Sequence, residues 1–123
     1  MAYSRKKSRE IAFRMIFAFS PIELAIDGGE LPVGRELEFI NNLYNAVVQN
    51  LEDIDRTIRE LSIGFSFERI FKTDLAALRM GIAEIKYTPT EKVVAINEAV
   101  EIAKRYGTEK SGGFVNGVLA RVT

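Results

Sequence analysis

Two consecutive stretches near the C-terminus constrain this chain more than any other feature. The first runs over residues 93–107, Val-Val-Ala-Ile-Asn-Glu-Ala-Val-Glu-Ile-Ala-Lys-Arg-Tyr-Gly. At about 100° per residue, Val93, Ile96, Ala99, Val100, Ile102, Ala103 and Tyr106 cover roughly half the circumference of a helix. That arc is wider than a surface helix needs, so the pattern predicts the central member of a helical bundle. Asn97, Glu98, Glu101, Lys104 and Arg105 take the opposite side, with Val94 as the apolar exception. Gly107 is expected to supply the left-handed residue that closes many helices. In the second stretch Phe114, Val115, Val118, Leu119 and Val122 again share one arc, with Ser111 near the start. Gly117 sits inside it, where glycine costs about 1 kcal/mol relative to alanine. A crossing too tight for a Cβ, or a surface that a ligand approaches closely, would account for it.

Upstream, the same period recurs. A first helix is predicted from Ser4 to Phe19, with Ile11, Ala12, Met15, Ile16, Ala18 and Phe19 inward and Ser20-Pro21 as its stop. Residues 26–35 carry three glycines and a proline and read as loop. A second helix covers Arg35 to Asn50, with Leu37, Ile40, Leu43, Tyr44, Val47 and Val48 inward. A third runs from Glu52 to Leu61, opened by acids that suit a helix N-terminus. After Gly64 come a short helix at Phe67 to Phe71 and a longer one from Thr73 to Lys86. Thr73 is the expected N-cap, and Leu75, Leu78, Ile82 and Ile85 form the stripe. Strand alternation is nearly absent. The expectation is an all-α fold of about seven helices in two packed bundles, a single domain over residues 1–123.

Composition removes several chemistries. The chain has no cysteine and no histidine, which excludes disulfides, thiolate nucleophiles and imidazole ligands or bases. No phosphate-cradling glycine loop or nucleophile elbow is present. Glu52, Asp53 and Asp55 are crowded as helix-capping acids are, so catalysis is not expected. No run is long enough to span a bilayer, and Arg14 interrupts the apolar segment that follows the basic start. A cytoplasmic location without membrane contact is the expectation. Net charge is zero but uneven: residues 1–20 hold five cations against Glu10, while residues 21–60 hold nine acids against three arginines. One basic end could therefore hold an anion.

Residues 94–104, Val-Ala-Ile-Asn-Glu-Ala-Val-Glu-Ile-Ala-Lys, followed by residues 114–119, Phe-Val-Asn-Gly-Val-Leu, resemble the signature of the NusB family. The basic opening at residues 5–12 and the helix with Asp74, Arg79 and Glu84 are similar to that family's as well. The middle third carries little resemblance. The likeness implies a small helical protein that binds boxA RNA of nascent ribosomal RNA together with the ribosomal protein NusE. It would act as a non-catalytic adaptor in transcription antitermination, held against the transcription elongation complex, with no cofactor. Some ribosomal RNA methyltransferases carry the same module, but their catalytic domain would have to follow Thr123. A homodimer that buries the RNA surface until NusE competes stays open.

Two RNA-contacting sets follow. At the start, Arg5 and Arg9 lie one turn apart on one face, with Lys6 and Lys7 fanning away. Such a cluster suits a phosphate backbone, and arginine can also stack on or hydrogen-bond bases. On the residues alone, a solvated basic first turn competes with this reading. The second set is Lys110, Ser111 and Phe114. Here helix N–H groups and a lysine could hold a phosphate, and a ring could meet an unstacked base. A core phenylalanine behind a helix cap is the alternative. The chain departs from the family pattern here. Lys110 stands where an acid is common before the serine, and Gly112 and Gly113 replace bulkier or basic residues. These changes predict stronger phosphate attraction and an altered base preference. For NusE, the matching positions are Phe17, Glu68 and Asp74, whose acids would suit a basic partner. Phe65, Phe67 and Phe71 are expected to seal the bundle. The alternative function is a stand-alone helical protein-interaction module that has lost sequence-specific RNA binding.

Overall fold

The computed structural model describes residues 3–123 and is helical throughout. Six α-helices follow one another: α1 (Arg5–Ala18), α2 (Gly34–Gln49), α3 (Leu51–Leu61), α4 (Lys72–Tyr87), α5 (Lys92–Tyr106) and α6 (Ser111–Leu119). Two 3-10 turns, Ile22–Leu24 and Phe67–Arg69, stand in the connections. The short helix expected at Phe67 is therefore a single tight turn, and the described residues contain six α-helices where about seven were anticipated. Ser4 caps α1, its Oγ accepting the Lys7 N–H at 3.1 Å. The helix ends at Phe19 in the left-handed conformation, φ 49° and ψ 47°, just before the expected Ser20-Pro21 stop.

The central member is α4, not α5. Helix α4 packs against all five other helices, whereas α5 packs mainly on α4 and α6 with a lighter contact to α1. One bundle is α1, α2 and α3 around α4, and the other is α5 and α6 against the same helix. Ala76, Ala77, Leu78, Met80, Gly81, Ile82, Ala83 and Glu84 are all buried, so α4 is covered nearly all round. The apolar arc of α5 faces inward as expected at Ala99, Ile102 and Ala103, with Ile96, Val100 and Tyr106 packed on the core; at its start Val93 is exposed and Ala95 is buried instead. Three alanines at four-residue spacing let α4 come close. A Cβ built on Gly81 would lie 3.3 Å from Ala99 Cβ and 2.6 Å from Leu119 Cδ1.

That crossing is the tight one in this half of the molecule. At Gly117, by contrast, a Cβ would meet nothing within 4 Å, so close packing does not explain the glycine there. Gly107 differs from expectation too. Its backbone is extended (φ −104°, ψ −151°), and the position is small because a Cβ would lie 2.3 Å from Ser111 Oγ and 2.8 Å from the Ala103 carbonyl. Thr73 does not cap α4. The helix begins one residue earlier, behind Phe71, without a side-chain capping bond. Ala18 and Phe19 of α1 and Val48 of α2 also face outward, while Phe13 is buried in their place.

Candidate nucleic-acid interface

The basic start of α1 is folded onto acids from three other helices. Arg5 makes a two-pronged pair with Glu36 of α2, at 3.0 and 3.1 Å, and its guanidinium lies 4.0 Å from the Phe39 ring centroid. Ser8 Oγ donates to the same carboxylate at 2.7 Å. These bonds, Arg5 first and Ser8 next, hold the Glu36 carboxyl below the usual carboxylate range. Lys6 reaches Glu101 and Glu98 of α5 at 3.0 and 3.3 Å, and hydrogen bonds from these two raise its ammonium above the ordinary lysine value. Lys7 pairs with Glu10 at 3.1 Å. Burial alone would push the Glu10 carboxyl up, but hydrogen bonds from Lys7 and Arg105 together outweigh it and bring it down. The fan seen in sequence is real. Its net positive field is smaller than residues 1–20 implied, because the fold brings Glu36, Glu98 and Glu101 onto it.

Arg9 leaves the surface set altogether. It is 6% exposed, and its Nε and Nη2 donate to the two oxygens of Glu84 at 2.8 and 2.9 Å. Glu84, on α4, has no exposed surface. Two desolvated charges are tolerable only as a close, geometrically matched pair, which is what the planar guanidinium fork provides. The Arg9 guanidinium is thus a core strut between α1 and α4, with no room for a phosphate. Arg79 plays a similar part, bound two-pronged to Asp55 of α3 at 2.9 Å. Farther round, the Asp53 carboxylate gathers Tyr87, Lys86 and Arg56. The hydrogen bond that Tyr87 donates to it, ahead of partial burial, pushes the Tyr87 hydroxyl up to about 12.

The second set is arranged differently. Lys110 is exposed and Phe114 half-buried; among the described residues no ion pair involves Lys110, Lys104 or Arg69. Phe114 packs obliquely on Phe65, ring centroids 4.8 Å apart. Ser111 is buried rather than open. Its Oγ accepts the Thr108 N–H at 2.9 Å, and Thr108 in turn accepts the N–H groups of Lys110 and Ser111. The N–H groups of Thr108, Lys110, Ser111 and Phe114 are thereby engaged within the turn, which leaves Lys110, the Phe114 ring and the N–H groups of Gly112 and Gly113 for recognition at this edge. The side chain of Lys104 lies over Gly112, 2.9 Å from where a Cβ would be, which explains the small residue there.

The three partner positions divide. Phe17 is exposed beside Leu24 and lines, with Phe13, Thr73 and Tyr106, an apolar depression of about 370 Å³. Glu68 is exposed on its 3-10 turn. Asp74 is 5% exposed and its Oδ1 has no hydrogen-bond partner, so it is not a free acid on the rim. Phe65 and Phe71, expected to seal the bundle, are both exposed. They wall a cleft of about 550 Å³ that also takes in Arg69, Asp74, Thr108, Lys110 and Phe114. Sequence reasoning missed this cleft, because one wall lies in the middle third, where no motif stands.

Comparison with known proteins gives one answer. The model of the NusB family matches residues 6–123. The transcription antitermination protein NusB of Agathobacter rectalis is 38% identical, over 96% of this chain and 98% of that protein. A NusB structure from T. maritima superposes with a TM-score of 0.85 at 31% identity, covering 99% of this chain and 92% of that one. A crystal structure of the antitermination factors NusB and NusE in complex with double-stranded RNA superposes at 0.84 with 26% identity, over 96% and 94% of the two chains. With a family match across nearly its whole length, the chain belongs to the NusB family.

Proposed function

We propose that this chain is a transcription antitermination factor. Residues 1–123 act as one domain that binds boxA RNA of nascent ribosomal RNA together with NusE. It works by holding RNA against the elongation complex in the cytoplasm, by binding and without bond-making. The observation that carries the reading is the edge formed by Lys110 and Phe114, an unneutralised cation beside a half-buried ring where the second stretch of the signature begins. Such an edge attracts a phosphate and stacks a base without needing a fixed sequence. The similar structure holding NusB, NusE and RNA supports the same assignment. Arg5, Lys6 and Lys7 contribute a second contact, weakened by their acidic neighbours. Phe17 and Leu24 offer NusE an apolar seat, and Glu68, exposed on its own turn, offers an acid that suits a basic ribosomal protein. No described helix is long and apolar enough to cross a membrane.

The test is binding of a labelled boxA-containing RNA against a scrambled control, with and without NusE and across salt. Sequence-selective binding that tightens with NusE supports the proposal. Binding equal for both RNAs and lost with salt leaves only a basic patch. No binding even with NusE favours the protein-interaction module, a reading consistent with the extensive pairing of the α1 cations. Sedimentation of the free chain, and its response to NusE, reads out whether a homodimer competes.

A further inference from the structure

The start of α1 meets more acid than the fold needs. Its four cations, Arg5, Lys6, Lys7 and Arg9, are answered by five carboxylates, those of Glu36, Glu98, Glu101, Glu10 and Glu84. Three of the five hold other parts of the molecule together. Glu84 closes the buried pair with Arg9, Glu36 also accepts from Ser8, and Glu10 gathers Arg14 and Arg105 besides Lys7. Glu98 and Glu101 reach out to Lys6, at 3.3 and 3.0 Å, and Glu98 also lies 4.0 Å from Arg9 Nη1. The side chains of Lys6 and Glu101 are 65% and 58% exposed, and an ion pair so open to water adds little stability. Helix α5 is held mainly by α4 and α6, with a lighter contact to α1. Two acids three residues apart on one helix face also repel each other. Stability does not account for this pair.

What the two acids do is occupy the Lys6 ammonium. A phosphate that reaches Lys6 must exchange with carboxylates already bonded to it, and the Lys6 bond holds the Glu101 carboxyl below its usual range. The start of α6 is the opposite case, since Lys110 has no acidic partner among the described residues. RNA therefore gains a whole ion pair at α6 but only the difference between two ion pairs at α1. Phosphates carry no sequence information, so any attraction at α1 favours every RNA alike. A strand held at α6 is bound whether or not it also engages α1, and its tether brings phosphates to Lys6 at high effective concentration. A stray strand has α1 alone. A change in attraction at α1 is thus felt in full by the stray strand and only in part by the held one.

We propose that Glu98 and Glu101 are specificity-determining residues, an anionic screen on Lys6 that keeps the start of α1 from capturing RNA that the α6 edge has not selected. The inference rests on the RNA-binding reading above and deepens it, making α1 a contact conditional on α6. The experiment is equilibrium binding of the full chain and of a Glu98→Gln, Glu101→Gln double variant to labelled boxA-containing RNA and its scrambled control, across salt. Glutamine keeps the size and an acceptor oxygen and removes the charge. Scrambled RNA is expected to bind the double variant about tenfold tighter, with a salt slope steeper by about 0.7, the share of one single-strand phosphate. The boxA RNA is expected to gain only about threefold, so the preference between the two RNAs narrows. Adding Lys6→Ala is expected to reverse both gains. A Glu52→Gln, Glu60→Gln variant removes two exposed charges from α3 and is expected to change either affinity less than about twofold. The melting temperature of the Glu98, Glu101 variant is expected to stay where it is.

Equal gains for the two RNAs, or no gain, overturn the proposal. So does a gain that survives Lys6→Ala, since the screen would then lie on some other cation. An equal gain in the α3 variant does the same, because net charge alone would explain it. A double variant that loses its cooperative melt and its affinity together marks the two acids as structural and also overturns it. Each of these results leaves selective boxA binding standing and removes this inference alone. Absence of binding to either RNA, with or without NusE, removes the functional reading along with it.

Discussion

The starts of α1 and α6 rank one way by charge in sequence and the other way in the fold. At the start of α1, four cations lie within five residues, and every one is matched: Arg5 to Glu36, Lys6 to Glu98 and Glu101, Lys7 to Glu10, Arg9 to Glu84. At the start of α6 a single lysine, with Arg69 across the cleft, has no acid to answer it. The sparser region is therefore the stronger lure for a phosphate. Charge density along a chain measures attraction only after the fold has chosen its partners, and here all but the acid of Lys7 arrive from 31 to 95 positions away.

The sharpest way to break this comparison is at Arg9. If its charge is structural, Glu84→Ala strands a guanidinium in the core and costs about 3–5 kcal/mol in urea unfolding. Replacing both partners by leucine and methionine restores most of the loss. A penalty below about 1 kcal/mol for the single change would return Arg9 to the surface. Next in size is Lys110→Asp, expected to lower RNA affinity about tenfold and to reduce the salt slope, since an unscreened phosphate contact is lost. Unchanged affinity would remove the α6 edge from the interface. Smaller still is Arg5→Ala. It is expected to reduce RNA binding two- to threefold, because freeing Glu36 adds a repulsive acid as the cation goes; its exposed pair contributes under about 1 kcal/mol to stability. An Arg5→Ala effect larger than that of Lys110→Asp would invert the ranking.

The Asp53 cluster serves as a remote control. The folded-state value of Tyr87 is raised from 10.0 to about 12, so its contribution is complete below pH 10 and disappears as pH climbs from 10 to 12. Tyr87→Phe should flatten that part of the alkaline stability curve and leave RNA binding untouched, as read by denaturant midpoints at each pH.

Most helices were legible because a 3.6-residue period survives substitution of one apolar residue by another. Phase was less legible at the start of α5. Ala95 weighs little in an apolar arc beside Val93 and Val94, yet it is buried while both valines are exposed. The site was half-legible. Lys110 and Phe114 stand out in sequence because they lie where the second stretch of the signature begins. The burial of Arg9 was not, since its partner lies 75 residues away and each looks like ordinary surface charge on its own helix. The cleft needed a wall from residues 64–71, whose phenylalanines read as core in sequence and stand exposed in the fold.

A helix shared by both bundles also sets how the molecule comes apart. Neither half can open without removing a wall from the other, so the two have no separate stabilities to lose. Melting should pass through a single transition, with the amide protons of Leu78 to Ala83 exchanging only through global unfolding. A partner that grips one end of α4 would then slow exchange in the far bundle as well, so that RNA held at α6 would be felt, as rigidity, by α2 and α3.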